Sequence, residues 1–432
     1  MSMILWDILE EHLNEAAFLW GQWERSLRSP RYVLREVIDG PEERLLAHVE
    51  GLCEGGALAI ERLLRPALEE EDTGFFCTAA FTLLSDSMAA HLDTLLDGFD
   101  EASEQRQSCI RRVLELGGGE ALTARMERIL TEGTAPASVL ATALDALSLR
   151  QPHSRVELKP FLSSAIPRLQ AAALRAVGRW LSPLDTAALA RPLDSPDASV
   201  RDAALVAGLL LGRRAAWSAC RHFVEARVPA IARAALLVAM GGQPKDIEML
   251  TKALDTPELQ GDVLRALGTS GSPTAVEACL PHLRNPKVAH LAAEAISTIT
   301  GLVVEGPFRR EAPDNEGDED DAPLIPAPED DLPFPDHEAI EAWWKEQRKR
   351  FMPGTRYLHG QPMTAALILE ALRQAPMLRR PALALNVAIR SKGAIRLNPD
   401  GFAQEQWAQV SRLRPASVSH PSQPYSDFAQ TL

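Results

Sequence analysis

Aromatic side chains are scarce in this chain: 3 Tyr, 12 Phe and 8 Trp in 432 residues, or 5%. Sheets favour aromatic and β-branched residues, whereas the Leu and Ala that fill this sequence favour helices. Cysteine is sparse as well. Cys53, Cys77, Cys109, Cys220 and Cys279 are odd in number and scattered through apolar stretches. That excludes a disulfide framework and fits buried, reduced thiols of a cytoplasmic protein. Long hydrophobic runs are missing: the longest compact one, Leu205–Leu211, ends at Arg213 and Arg214, far short of a bilayer span. Asp7, Glu10 and Glu11 interrupt the first apolar residues, so no secretory leader is expected. Positive charge is in deficit, with 45 Lys and Arg against 59 Asp and Glu, a net of −14. A general nucleic-acid binder needs a dominant basic field and is disfavoured.

The charge is unevenly placed. Glu305 to Glu338 holds 13 acids and only Arg309 and Arg310, a net of −11. From Ala339 onward there are 13 basic and 6 acidic residues, a net of +7, which leaves −10 for residues 1–304. The chain reads as an acidic body (1–304), an acidic Pro-rich loop or linker (305–338), a basic helical C-terminal region (339–414) and a frayed tail (415–432).

The body is repetitive. Leu144, Leu174, Leu205, Leu236, Leu264 and Ile296 occupy equivalent places in short Ala-Leu segments, spaced by 30, 31, 31, 28 and 32 residues. Weaker copies fall near Phe81 and Ile110. Each period predicts two helices. Ser182-Pro183, Ser195-Pro196, Thr256-Pro257, Ser272-Pro273 and Asn285-Pro286 read as N-caps followed by a first-turn proline. Gly241, Gly268 and Gly301 read as helix ends. The ankyrin Thr-Pro-Leu-His turn is absent, and the tetratricopeptide pattern needs aromatics that the chain lacks. Ser195 to Leu205 resembles a short HEAT-type repeat of the phycobilisome-lyase kind. That resemblance implies an all-α fold, a right-handed α-solenoid with a long concave surface.

Past the acidic segment, helices are expected over Asp336–Phe351, Met363–Ala375, Met377–Ser391 and Gln404–Leu413. Two stretches carry a second resemblance: Ile296-Ser297-Thr298-Ile299-Thr300-Gly301, and Trp343-Trp344 with Phe351-x-x-Gly354-x-Arg356-Tyr357-Leu358-x-Gly360-x-Pro362. With the repeats they resemble a family of proteobacterial HEAT-repeat proteins often encoded among type VI secretion genes. The resemblance implies an immunity protein that inhibits a toxin, or an adaptor that loads an effector, and it brings no catalytic chemistry with it.

The residues themselves offer little chemistry. Zincin, Walker and nucleophile-elbow motifs are absent. Gly117-Gly118-Gly119 follows a helical run and suits a helix-ending loop better than a phosphate cradle. Cys220-x-His222 and Cys279-x-x-His282 are two repeats apart, too far to share zinc in a solenoid. Lys345, Arg348, Lys349, Arg350 and Arg356 beside the two tryptophans suit an amphipathic helix with a buried Trp face better than a nucleic-acid platform. Glu69, Glu70, Glu71 and Asp72 read as an inter-helix turn. A HEAT-type glycosylase or lyase would need a basic groove, which a body of −10 does not supply. No catalytic residue, cofactor or metal is expected. The expected partner is a basic toxin or effector domain, steered by negative charge. Its contacts are expected at Asp194, Asp197 and Asp202 and at Asp318, Glu319, Asp320 and Asp321.

Overall fold

A computed structural model describes residues 5–85, 90–312, 327–418 and 421–428. The fold is all-α. The one strand pair among the described residues is the two-residue hairpin β1 (Tyr357–Leu358) and β2 (Gln361–Pro362). The longer helices of the body are α1 (Trp6–Ser26), α2 (Glu43–Glu54), α3 (Thr73–Ser85), α4 (Glu104–Leu116), α5 (Glu120–Glu132) and α6 (Ala137–Arg150). They continue with α7 (Pro167–Trp180), α8 (Thr186–Leu193), α9 (Ala198–Leu210), α10 (Arg214–Glu225) and α11 (Ala232–Gly241). Next come α12 (Pro244–Ala253), α13 (Gln260–Ser270), α14 (Pro273–Cys279) and α15 (Ala289–Thr300). The C-terminal region holds α16 (His337–Gln347), α17 (Ala365–Gln374), α18 (Arg380–Arg390) and α19 (Ala403–Arg412).

The repeated apolar positions all lie on one set of helices. Phe81, Ile110, Leu144, Leu174, Leu205, Leu236, Leu264 and Ile296 sit on α3, α4, α6, α7, α9, α11, α13 and α15. Helices of this set pack on one another in sequence, α6 on α7, α7 on α9, α11 on α13 and α13 on α15. The intervening α8, α10, α12 and α14 pack on each other as a second row. Buried alanines let the first row close up: Ala171, Ala172, Ala173 and Ala176 on α7 face Ala203, Ala204 and Ala207 on α9. Gly178 belongs to this seam, because a Cβ there would meet the Ala207 Cα at 3.2 Å. The row is loosest between α9 and α11. There Tyr425 enters, fully buried, with its ring against Trp217 at 5.7 Å. Residue 425 lies inside the segment expected to fray.

Several helix starts differ from expectation. Ser182-Pro183 and Ser195-Pro196 precede the caps, which are Asp185 and Asp197. Their carboxylates accept from Ala188 N at 2.6 Å and from Ser199 N at 2.9 Å. A carboxylate caps well because it also meets the positive end of the helix dipole. Asn285-Pro286 opens a turn before α15, whereas Thr256 and Ser272 hold the N-cap position with proline next, Thr256 ahead of a 3-10 turn, but neither side chain makes a capping bond. Gly301 does end α15, but Gly268 lies within α13, whose left-handed end is Gly271.

The C-terminal region packs a small core of its own around Ile368, Leu372, Val387 and Val410. Its main business is with the body. The β1–β2 hairpin lies across the ends of α13 and α15: Tyr357 N donates to Gly271 O at 2.8 Å, His359 N to Thr298 O and Gly360 N to Ile299 O, both at 2.9 Å. Gly360 takes φ 75°, and a Cβ there would meet Thr300 O at 2.5 Å, so only glycine fits. The Arg356 guanidinium bonds four carbonyls at the ends of α11 and α13: Ala239 (3.0 Å), Met240 (2.8 Å), Gly242 (2.5 Å) and Ser270 (3.0 Å). Arg390 adds a bond to Met240 O at 3.0 Å. At the far side, the buried Glu42 carboxylate accepts from Trp23 Nε1 (2.9 Å), Ala403 N (2.6 Å) and Gln404 N (2.7 Å), which caps α19. Phe402 stacks on Trp23 at 5.1 Å. The C-terminal region therefore bridges both ends of the repeat row. Arg356→Met removes four charge-assisted bonds, and of the carbonyls involved Met240 O keeps Arg390 as a donor. It should cost roughly 2–4 kcal/mol in urea unfolding, with Arg356→Lys intermediate.

Candidate functional site

The two stretches that carry the second resemblance meet in space. Glu294, Ser297 and Thr298 come from α15, His359 from the tip of the hairpin, and Arg379 from the turn leading into α18. Arg379 holds Glu294 with both arms, Nε to Oε1 at 2.5 Å and Nη2 to Oε2 at 2.8 Å. Nη2 also donates to Ser297 Oγ at 3.0 Å, and Nη1 lies 3.2 Å from His359 Nε2. Arginine can only donate, so His359 Nε2 accepts and the ring proton sits on Nδ1. Ser297 Oγ in turn donates to Leu302 O at 2.6 Å. Burial, then the neighbouring Arg379, lowers His359 to about 4. The ring is neutral at physiological pH.

Two cavities flank this cluster, and Glu294, His359 and Arg379 line both. One is an open groove of about 1950 Å³ with Arg31, Lys287, Arg309, Arg310, Asp330 and Asp331 on its walls. The other, about 250 Å³, lies between the repeat row and the C-terminal region. The cluster is built for holding. Its carboxylate is neutralised by an arginine, its hydroxyl is engaged at a helix end, and its imidazole is pinned by the same arginine.

Asp194, Asp197 and Asp202 are neighbours around the α8–α9 turn but do unlike things. Asp194 is exposed. Asp197 is the cap of α9, and its bonds to Ser199 and Val200 hold its carboxyl below the usual range. Asp202 is half-buried; burial raises it, while Arg233 and Arg201 oppose the rise. Asp318, Glu319, Asp320 and Asp321 lie outside the described residues. The ends of their segment are tied together, with Arg310 N donating to Phe334 O at 3.0 Å and Asp336 N to Phe308 O at 2.8 Å. Glu69 to Asp72 form the turn before α3, where Asp72 accepts from Gly74 N at 2.8 Å. Gly117 and Gly119 end α4 and begin α5. Cys220 and Cys279 are fully buried, and burial pushes Cys279 up to about 12. Among the described residues no three His, Cys, Asp or Glu side chains gather as a metal site, and no helix is long and apolar enough to cross a membrane.

Of the basic cluster beside the tryptophans, Lys345, Lys349 and Arg350 are exposed, whereas Arg348 and Arg356 are engaged within the chain. Trp344 is buried and Trp343 packs on Phe308, so Trp344 offers no face for a base. Arg380 and Arg390 are 1% and 3% exposed. Arg379 pairs with Glu294 and Arg348 with Glu277. Two ion pairs engage polar residues of the first row. Asp145 takes Arg175 at 2.5 Å across the α6–α7 seam, and Arg265 takes Glu329 at 2.8 Å. Within the body, residues 1–150 hold 27 acidic and 13 basic residues, a net of −14; residues 151–304 hold 13 and 17, a net of +4.

No protein-family model matches the chain, and no curated protein matches it in sequence.

A histidine lowered on folding adds stability that is full above its unfolded value near 6.5 and is lost as pH falls toward about 4. The charged groups facing it are Arg379 and Glu294. His359→Asn keeps a residue that tolerates the left-handed backbone at this position, φ 49°. It should flatten the fall in urea midpoint between pH 6.5 and 4.5 while leaving the midpoint at pH 7.5 less affected.

Proposed function

We propose that this chain is a non-enzymatic protein-binding molecule of the cytoplasm, a right-handed α-solenoid of HEAT-like hairpins whose acidic surface captures a basic protein. Two rows of helices with the repeated Leu on one row support the solenoid reading. The observation that carries the partner class is the partition of charge. Arg356 and Arg379 of the C-terminal region are engaged at helix ends and in an ion pair, and Arg380 and Arg390 are interior, which leaves Lys345, Lys349, Arg350, Lys392, Arg412 and Arg414 exposed there, while residues 1–150 hold −14 and keep Glu69, Glu70 and Glu71 exposed. The field that reaches solvent there is negative, and it speeds encounter with a basic partner.

The resemblance to proteins of type VI secretion neighbourhoods makes the concrete form an immunity protein that binds and inhibits a toxin. A nuclease is the basic class that suits an acidic inhibitor, because nucleases carry positive charge for the phosphate backbone. Cells expressing the toxin encoded beside this gene should survive when this chain is co-expressed. The association rate of the purified pair should fall steeply between low and physiological salt. Replacing Glu69, Glu70 and Glu71 with Lys should slow association several-fold with little change in dissociation. A bound toxin that stays active would show an adaptor instead. Absence of binding would remove both.

A further inference from the structure

The smaller cavity is walled by two layers that have no covalent reason to leave a gap. Leu236, Leu291 and Ala295 come from the repeat row; Met363, Ile368 and Leu383 come from the C-terminal region. Most of the wall is aliphatic. Leu236 is the one repeat position from Leu144 to Ile296 that is not fully buried, because it faces this space. At about 250 Å³ the cavity exceeds the ~150 Å³ apolar void that suffices to take up benzene in an engineered protein. Left empty, it would deprive its walls of dispersion contacts.

The charged groups on the wall are paired: Glu294 with Arg379 and Glu329 with Arg265 within it, and Arg28 with Asp400 outside it. An ionic ligand would enter without a counter-charge and pay its full desolvation. Hydrogen-bonding capacity remains nonetheless. His359 keeps its Nδ1–H, and Asn386, whose Oδ1 accepts from Arg390 and Tyr425, keeps its amide N–H groups. No acceptor for these donors is found among the described residues. Both residues line the cavity.

We propose that this cavity binds an uncharged, mainly aliphatic molecule bearing one hydrogen-bond acceptor, such as a medium-chain alcohol or ketone. The chain lies against the leucines and Met363, and the oxygen takes a donor from His359 or Asn386. This site is independent of any protein partner and needs none for its test.

The test is calorimetric titration of the full chain with 1-octanol, with sodium octanoate as the charged counterpart of equal length. Octanol should bind saturably at one per chain, and octanoate should bind at least roughly tenfold more weakly. Ala382→Phe, which fills the cavity from α18, should weaken octanol binding by more than about tenfold. Leu383→Trp serves the same purpose if the first variant does not fold. Octanol that fails to saturate overturns the proposal, as does octanoate binding equally well. So does octanol binding that a folded, filled variant leaves unchanged.

Discussion

Helices that end side by side present unpaired carbonyls, and these must find donors. In this chain α11, α13 and α15 all end at one edge of the body, where β1–β2 and Arg356 meet them. One guanidinium serves the last carbonyls of two helices at once, and its positive charge lies at the negative end of both dipoles. Three hairpin amides extend the same edge, Tyr357 N at the end of α13 and His359 N and Gly360 N on α15. The placement of the rest of the C-terminal region follows. Arg390 and Tyr425 fill the loose step between α9 and α11, while Glu42 fixes α19 at the opposite end. The scarce aromatics collect at these joints. Trp20, Trp23, Phe81 and Phe402 form one cluster; Phe308, Trp343, Trp344, Phe351 and Tyr357 form another. Large rings supply much contact area per residue, which suits a seam between two separately cored parts.

The same constraint decides the electrostatics. A net of +7 after residue 338 suggests a basic surface in the sequence. Part of that charge is exposed, on Lys345, Lys349, Arg350, Lys392, Arg412 and Arg414, but four of its arginines are turned inward. Arg356 bonds carbonyls, Arg379 bonds Glu294, and Arg380 and Arg390 are interior. The ends of α11, α13 and α15 are thus engaged in cis by the C-terminal region.

The repeats were legible because buried aliphatic positions recur at a fixed interval, and the helices of the C-terminal region were legible from their periodicity to within four residues, the largest misses falling where 3-10 turns at Arg348–Arg350 and Met377–Arg379 adjoin the α-helices. The capping residues were half-legible. The Ser-Pro and Thr-Pro pairs mark the turns, but at α8 and α9 a nearby aspartate outcompetes the hydroxyl. The site was legible only as two unusual stretches, Ile296–Gly301 and Phe351–Pro362. Nothing local shows that they touch, since the contact joins residues about 60 apart. Glu42 and Glu294 carried no signal, because an acid on a helix face looks the same whether it meets water or an arginine. Asp197, expected to touch a partner, is occupied by its own helix.

The central claim is that the C-terminal region is part of the body's fold and not an appendage. Native-state amide exchange reads this directly. The amides of Tyr357, His359 and Gly360 donate to Gly271, Thr298 and Ile299. The account predicts that they open with the same free energy and denaturant dependence as the interior amides of α13 and α15. Fast exchange of these three amides while α13 and α15 stay protected would contradict it.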